Sequence, residues 1–85
     1  REPIFKVFRG VGYGIWSTKA GFVLNSTFDE IEIKSKGSEI IYIGEKWVEE
    51  ADLVILLYYN QVGELIRKVV LSTAEYEDLM CSADQ

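Results

Sequence analysis

The sequence predicts a mainly β domain of the α+β class: an antiparallel meander of about six or seven short strands, strongly twisted or partly barrel-like, with one C-terminal amphipathic helix. Three observations predict this fold. The apolar run Leu53–Tyr59 is rich in strand-forming residues and too short for a membrane span. Short alternating segments recur along the chain between glycine-containing turns. A helix-capping motif at residues 72–75 opens a helical pattern at the C-terminus.

The first predicted strand is Ile4–Arg9, in which both faces carry an aromatic side chain. Gly10, Gly12 and Gly14 follow at a period of two, so one face of the next segment has no side chains. Such a bare face allows a neighbouring aromatic ring, a sharply coiled sheet corner or a ligand to approach closely.

Residues 19–21 are predicted to form a tight turn into the apolar run 22–24. Residues 29–34 then alternate cleanly between apolar and charged side chains. This alternation predicts a strand with Ile31 and Ile33 pointing inward.

A turn at residues 35–38 connects this strand to the next one. Residues 39–43 are predicted to pair back, and Gly44 is predicted to end the strand. The secondary structure of residues 45–52 follows least clearly from the sequence. They fit either a helical turn or a loop.

The run Leu53–Tyr59 predicts a central strand that is covered on both faces. Asn60 and Gly63 stand at the first and last positions of a turn, so the chain is predicted to reverse there. The return strand, residues 64–71, mixes apolar and charged residues on both faces. It is therefore predicted to be an edge strand.

The C-terminal helix is predicted over about residues 72–83. The Ser72 side chain can accept from the amide three residues on, while the Glu75 side chain reaches back to the Ser72 amide. Four apolar positions then form one stripe that can lie on the sheet: Tyr76, Leu79, Met80 and Ala83.

Composition excludes the commonest catalytic designs. The 85 residues make a single domain spanning residues 1–85, and they include no histidine, so histidine-based triads and the usual zinc sites cannot be built. The single cysteine, Cys81, excludes an intramolecular disulfide and fits a reducing compartment, from which we predict a cytoplasmic location. The acidic cluster at residues 49–52 matches no calcium loop. We predict no catalytic, metal-binding or cofactor-binding residues, no cofactor and no enzymatic activity.

The net charge of −5 is unevenly distributed. Residues 1–28 hold four bases against one acid, whereas residues 29–85 hold five bases against thirteen acids. In the basic part, lysine and arginine alternate with aromatic residues, a mixture that single-stranded nucleic-acid binders use for phosphates and bases. The candidate partner-binding residues are Lys6, Arg9, Tyr13, Trp16 and Lys19.

The competing interpretation is that these aromatic residues form a core over the glycines. We prefer this interpretation because a bare face beside large rings is what close packing requires. It predicts that Trp16 is mostly buried and that oligonucleotide binding is weak and salt-sensitive.

We therefore predict a small non-enzymatic domain that binds another protein, or a second copy of itself, through an exposed sheet face or edge. The edge at residues 64–71 is the predicted surface of such a homodimer. The alternative is single-stranded nucleic-acid binding through the N-terminal ribbon, and no membrane segment is predicted. The hairpin and helix that end in residues 69–80 resemble the hairpin-to-helix passage of Phd/YefM-type antitoxins. The same stretch is also similar to the last strand and helix of a family of single-stranded-DNA coactivators. Two unrelated likenesses to one short stretch indicate shared capping physics, and they assign no residue roles.

Overall fold

Strands that follow one another in sequence pair antiparallel within two separate sheets. The computed structural model describes residues 3–83, without the side chains of residues 82 and 83, so the predicted apolar contact of Ala83 lies outside it. The first sheet contains, in order, β1 (Ile4–Arg9), β2 (Gly12–Ser17) and β3 (Gly21–Phe28). The second contains, in order, β4 (Glu30–Lys36), β5 (Glu39–Val48), β6 (Leu53–Tyr59) and β7 (Leu65–Ser72). Helix α1 (Thr73–Ala83) follows β7.

The predicted fold class is confirmed: the described chain is mainly β, antiparallel and in meander order, with one C-terminal helix. Within residues 3–83 the strands form two sheets and not a closed barrel. No helix in this part of the chain is long and apolar enough to cross a membrane.

A small core joins the two sheets. Its buried side chains come from four strands and are Ile15, Leu24, Phe28, Ile31 and Tyr42. The chain passes from β3 to β4 through one residue, Asp29, whose backbone N–H donates to the Glu45 carbonyl at 2.9 Å. This short connection brings Phe28, the last residue of β3, over the second sheet.

The inward prediction is confirmed for Ile31 but wrong for Ile33, which is 40% exposed. β4 is an edge strand of the second sheet, and every residue of β4 after Ile31 is exposed. Alternation assigns a residue to a face but does not say how far the covering layer extends.

Strand β5 does not end at Gly44, as the sequence predicted, but continues to Val48. A Cβ atom at Gly44 would lie 2.5 Å from two carbons of the Phe28 ring. The glycine therefore provides space for a ring and does not terminate the strand. Residues Glu49–Ala51 form a short 3-10 helix after β5, so the segment 45–52 is half strand and half helical turn.

Gly12 and Gly14 make room for the backbone of β3. A Cβ atom at Gly12 would lie 2.8 Å from the Phe28 carbonyl oxygen, and one at Gly14 would lie 2.6 Å from the Leu24 carbonyl oxygen. The pairing of β2 with β3 is also irregular, with two shifts in register between Tyr13 and Trp16. The bare face was predicted to receive an aromatic ring, a sharply coiled corner of the sheet or a ligand. In the structure it receives the coiled sheet, because the backbone of β3 lies against it.

The second sheet has β6 in its interior and β7 at its edge, as predicted. The turn between them forms as the sequence indicated: the Asn60 side-chain oxygen accepts from the Val62 and Glu64 amides, and Gly63 has a φ of +92°. The outer side of β7 is not paired with any described strand.

Helix α1 begins with the predicted capping box. The Glu75 amide donates to the Ser72 side-chain oxygen at 3.1 Å, and the Ser72 amide donates to the Glu75 carboxylate at 2.8 Å. The bond from the Ser72 amide, together with the Ser72 side chain, holds the pKa of the Glu75 carboxyl below its usual value. Leu71, just before the cap, and Tyr76, four residues after it, both pack against the cluster of Ile43, Val54 and Leu56, as the two residues of a hydrophobic staple do.

The same substitution at two serines should change stability in opposite directions. Ser72→Ala removes a helix cap and is expected to lower the free energy of unfolding by about 1 kcal/mol. Ser26→Ala removes a buried hydroxyl that has no hydrogen-bond partner among the described residues, so it should raise the unfolding free energy. Urea denaturation followed by circular dichroism measures both. A loss of stability in Ser26→Ala as large as that in Ser72→Ala would contradict the assignment.

Candidate functional site

The β1–β2 hairpin determines which N-terminal side chains share a surface. Its turn at residues 10–11 places Phe5 directly opposite Trp16, and the β2–β3 pairing places Trp16 opposite Phe22. Directly opposite residues of an antiparallel pair lie on the same face. Three aromatic side chains, one from each strand, therefore form a row across the first sheet.

This row lies on the face turned away from the core, because the neighbouring residue Ile15 points inward and is fully buried. Trp16 and Phe22 meet edge to face, with ring centroids 5.0 Å apart. The guanidinium carbon of Arg9 lies 5.6 Å from the centroid of the Phe22 ring. We call the surface formed by Phe5, Arg9, Trp16 and Phe22 the aromatic face.

Trp16 is not the core residue that the sequence predicted, because it lies on the outer face and 40% of its surface is exposed. The inward position on β2 belongs to Ile15, and the glycine face that was expected to receive rings is occupied by the backbone of β3. Phe5 is 50% exposed beside it. A Trp16→Ala variant should therefore lose less stability than the 3–5 kcal/mol typical of a buried aromatic residue.

Lys6 and Tyr13 lie on the opposite face of the first sheet, which turns toward β4. The Lys6 ammonium donates to the Glu30 carboxylate at 2.8 Å and lies 4.9 Å from the Tyr13 ring centroid. The hydrogen bond from Lys6, together with the Ile31 amide, holds the pKa of the Glu30 carboxyl below its usual value. Lys6 is therefore occupied by an internal partner. The Tyr13 ring also contacts Phe8 edge to face, at a centroid distance of 5.0 Å.

Lys19 lies in the turn between β2 and β3, where its amide donates to the Ser17 side chain at 3.1 Å. The structure thus distributes the five candidate residues over two faces and a turn. Arg9 and Trp16 share the aromatic face, whereas Lys6 and Tyr13 lie together on the other side. Phe5 and Phe22 belong to the aromatic face but were not among the candidates. The lengths of the turns before and after β2 determine which residues lie opposite Trp16, so these lengths could have identified both phenylalanines.

Three carboxylates line a cavity of about 300 Å³ beside the start of α1. They are those of Glu49, Asp52 and Glu77. The Asp52 carboxylate accepts a hydrogen bond from the Thr73 hydroxyl at 3.1 Å. In the part of the chain that the structure describes, no group of three acidic or cysteine side chains is placed to hold a metal ion.

A buried carboxylate connects α1 to β5. Glu45 is buried and accepts hydrogen bonds from the Tyr76 hydroxyl at 2.8 Å and from the Trp47 indole N–H at 3.0 Å. Burial, together with the bond to Glu45, raises the pKa of Tyr76 to about 12. This arrangement anchors the helix to the sheet. Sequence analysis missed it because Glu45 falls in the segment whose structure was left open.

Strand β7 presents a second exposed surface. Among its residues Leu65, Ile66 and Val70 are each about half exposed. Exposed edge strands with apolar side chains are pairing sites for another chain. β7 therefore combines uncovered apolar area with a backbone edge that no described strand pairs with.

Comparisons with known proteins found no relative: no protein-family model, no curated protein and no solved structure matches this chain.

Proposed function

We propose that this chain is a non-enzymatic domain that binds another protein through the aromatic face. The observation that carries the proposal is the row Phe5–Trp16–Phe22 with Arg9 beside it, a set of large side chains on an uncovered sheet surface. Tryptophan and arginine dominate the binding energy of protein interfaces, and phenylalanine is enriched there. Two contacts with the Phe22 ring support a preorganised surface: Trp16 meets it edge to face, and the Arg9 guanidinium lies over it in a cation–π contact.

The alternative, single-stranded nucleic-acid binding, is favoured by one specific observation. Trp16 is exposed, as a base-stacking platform requires. Such a platform also needs cations on the same surface, and Lys6 is bonded to Glu30 on the other face. With a net charge of −5, this leaves too few free cations for tight phosphate binding, which makes protein binding the better supported function.

Two phenylalanines on the same strand provide a matched test. Phe5 lies on the aromatic face, whereas Phe8, which is 61% exposed, contacts Tyr13 on the other face. The immobilised chain is incubated with a nuclease-treated extract of its source organism. We expect one protein to be retained by the wild type and by Phe8→Ala but to be lost from Phe5→Ala and Trp16→Ala.

A titration with labelled oligothymidylate at two salt concentrations distinguishes the alternative. Tight, saturable binding that disappears in a folded Trp16→Ala variant would replace protein binding by nucleic-acid binding. Equal capture by Phe5→Ala and Phe8→Ala would remove the aromatic face as the binding surface. Thermal unfolding of each variant verifies that it is folded.

A cytoplasmic location belongs to the same proposal. Its support is the single cysteine, Cys81, which is exposed and unpaired.

A further inference from the structure

The open edge of β7, the side that faces away from β6, has a defined set of unpaired backbone groups. The Thr73 amide donates to the Asp52 carbonyl at 2.9 Å, in register with the β6–β7 ladder. In an antiparallel ladder every second residue directs its N–H and C=O to the partner strand. The backbone N–H and C=O groups that point to β6 are therefore those of Arg67, Val69, Leu71 and Thr73. Those that point to the open edge belong to Lys68, Val70 and Ser72.

Both ends of this open edge are closed to pairing. At one end the Ser72 amide is already bonded to the Glu75 carboxylate. At the other end the ladder pairs Tyr58 with Arg67 and Tyr59 with Leu65, so Ile66 is an extra residue in a β-bulge. The open N–H and C=O groups on the regular part of β7 are then those of Lys68 and Val70.

We propose that a second copy of this chain pairs with β7 antiparallel, about a two-fold axis at Val69. In this register Lys68 of each copy is opposite Val70 of the other, and the four open N–H groups and their carbonyl partners make four hydrogen bonds. The proposal concerns a surface separate from the aromatic face and does not depend on it.

The neighbouring registers are worse on electrostatic or hydrogen-bonding grounds. An axis at Lys68 places two lysines directly opposite each other, and an axis at Arg67 does the same with two arginines, which is destabilising. An axis at Val70 places Lys68 opposite Ser72, whose amide is already occupied. Only the axis at Val69 uses all the open groups and avoids like-charge pairs.

Side chains on both faces complement this register. Val69 and Leu71 pack against the cluster of Ile43, Val54 and Leu56 on the helix side, so opposing valines at the axis extend this cluster between the copies. On the other side the half-exposed Val70 is covered by the aliphatic part of Lys68 from the second copy.

Charge complementarity favours a second copy over an unrelated strand. β7 carries Arg67 and Lys68 and no acid, whereas the described part of α1 carries three acids and no base. Antiparallel pairing places Arg67 opposite Leu71 of the second copy, next to the start of its acidic helix. The basic half of each β7 therefore lies near the acidic end of the other copy.

Two substitutions at Val70 test the register. Val70→Lys places a lysine opposite Lys68 of the second copy, and symmetry repeats this like-charge pair, so the dimer should weaken by about tenfold or more. Val70→Glu removes the same valine but places a carboxylate opposite that lysine. We expect it to retain the dimer. Sedimentation equilibrium of the whole chain at several micromolar concentrations gives both dissociation constants.

The proposal is overturned if the wild-type chain remains a monomer at all concentrations up to about 100 μM, which corresponds to a negligible interaction. It is also overturned if both variants dimerise equally, because the open edge is then not the interface. If both variants lose the dimer, the register is wrong, since an axis at Val70 predicts that result. Circular dichroism shows whether each variant is folded, and the wild-type mass alone decides the first outcome.

Discussion

Gly14→Ala is expected to lower the free energy of unfolding by about 3 kcal/mol, the upper part of the range for overpacked positions. The added methyl group would lie 2.6 Å from the Leu24 carbonyl oxygen and 2.8 Å from the Ser26 amide nitrogen. These are backbone atoms of β3, so no side-chain rotation can relieve the contact. Urea denaturation followed by far-UV circular dichroism gives the change in unfolding free energy.

Gly37→Ala is the matched control for this effect. Gly37 lies in the β4–β5 turn, where an added methyl group would meet nothing within 4 Å, but its φ is +63°. A left-handed backbone costs a residue other than glycine about 1–2 kcal/mol. Gly14 does not have a positive φ, so its expected loss comes from space alone. If Gly14→Ala were less destabilising than Gly37→Ala, β3 would not approach β2 as closely as the structure indicates.

Local patterns predicted most of the fold because they depend on neighbours in sequence. The strand Ile4–Arg9, the Asn60–Gly63 turn and the capping box each follow from a few adjacent residues, and each is confirmed. The edge position of β7 also followed from its mixed faces. The division into two sheets did not, since it depends on where β3 bends toward β4 and no single residue type marks that bend.

The wrong predictions concern what the glycines contact and which side chains are covered by the rest of the fold. Gly44 was interpreted as a strand end because glycine often ends a strand, yet its function depends on Phe28, which is sixteen residues earlier in the chain. Trp16 was interpreted as core because bare glycines lay beside it, whereas those glycines receive backbone. In both cases the sequence shows that something approaches closely but not which group it is.

The candidate site was predicted only in part for the same reason. Residue type drew attention to Arg9 and Trp16, which the structure places together on the aromatic face. Lys6 was grouped with them by proximity in sequence, although strand alternation and Glu30 hold it on the other face. Composition identifies candidate groups, and pairing register decides which of them can act together.

The second large effect is expected for Phe28. This ring is buried between the sheets, contacts Tyr59 edge to face at a centroid distance of 5.8 Å and occupies the space over Gly44. Phe28→Ala should lower the unfolding free energy by about 3–5 kcal/mol, the range for a buried phenylalanine. If Phe28→Ala does not fold, Phe28→Leu replaces it in the same measurements.

A double-mutant cycle then tests the contact between Phe28 and Gly44. Gly44→Ala alone should destabilise by about 1–3 kcal/mol, because its methyl group would lie 2.5 Å from the ring. In the Phe28→Ala background the same methyl group enters the vacated space, so its cost should fall by about 1 kcal/mol or more. Gly12→Ala is the control, since its methyl group would meet the Phe28 backbone and not the ring. The cycle of Gly12 with Phe28 should therefore be additive, and equal coupling in both cycles would show that the Phe28 ring does not lie over Gly44.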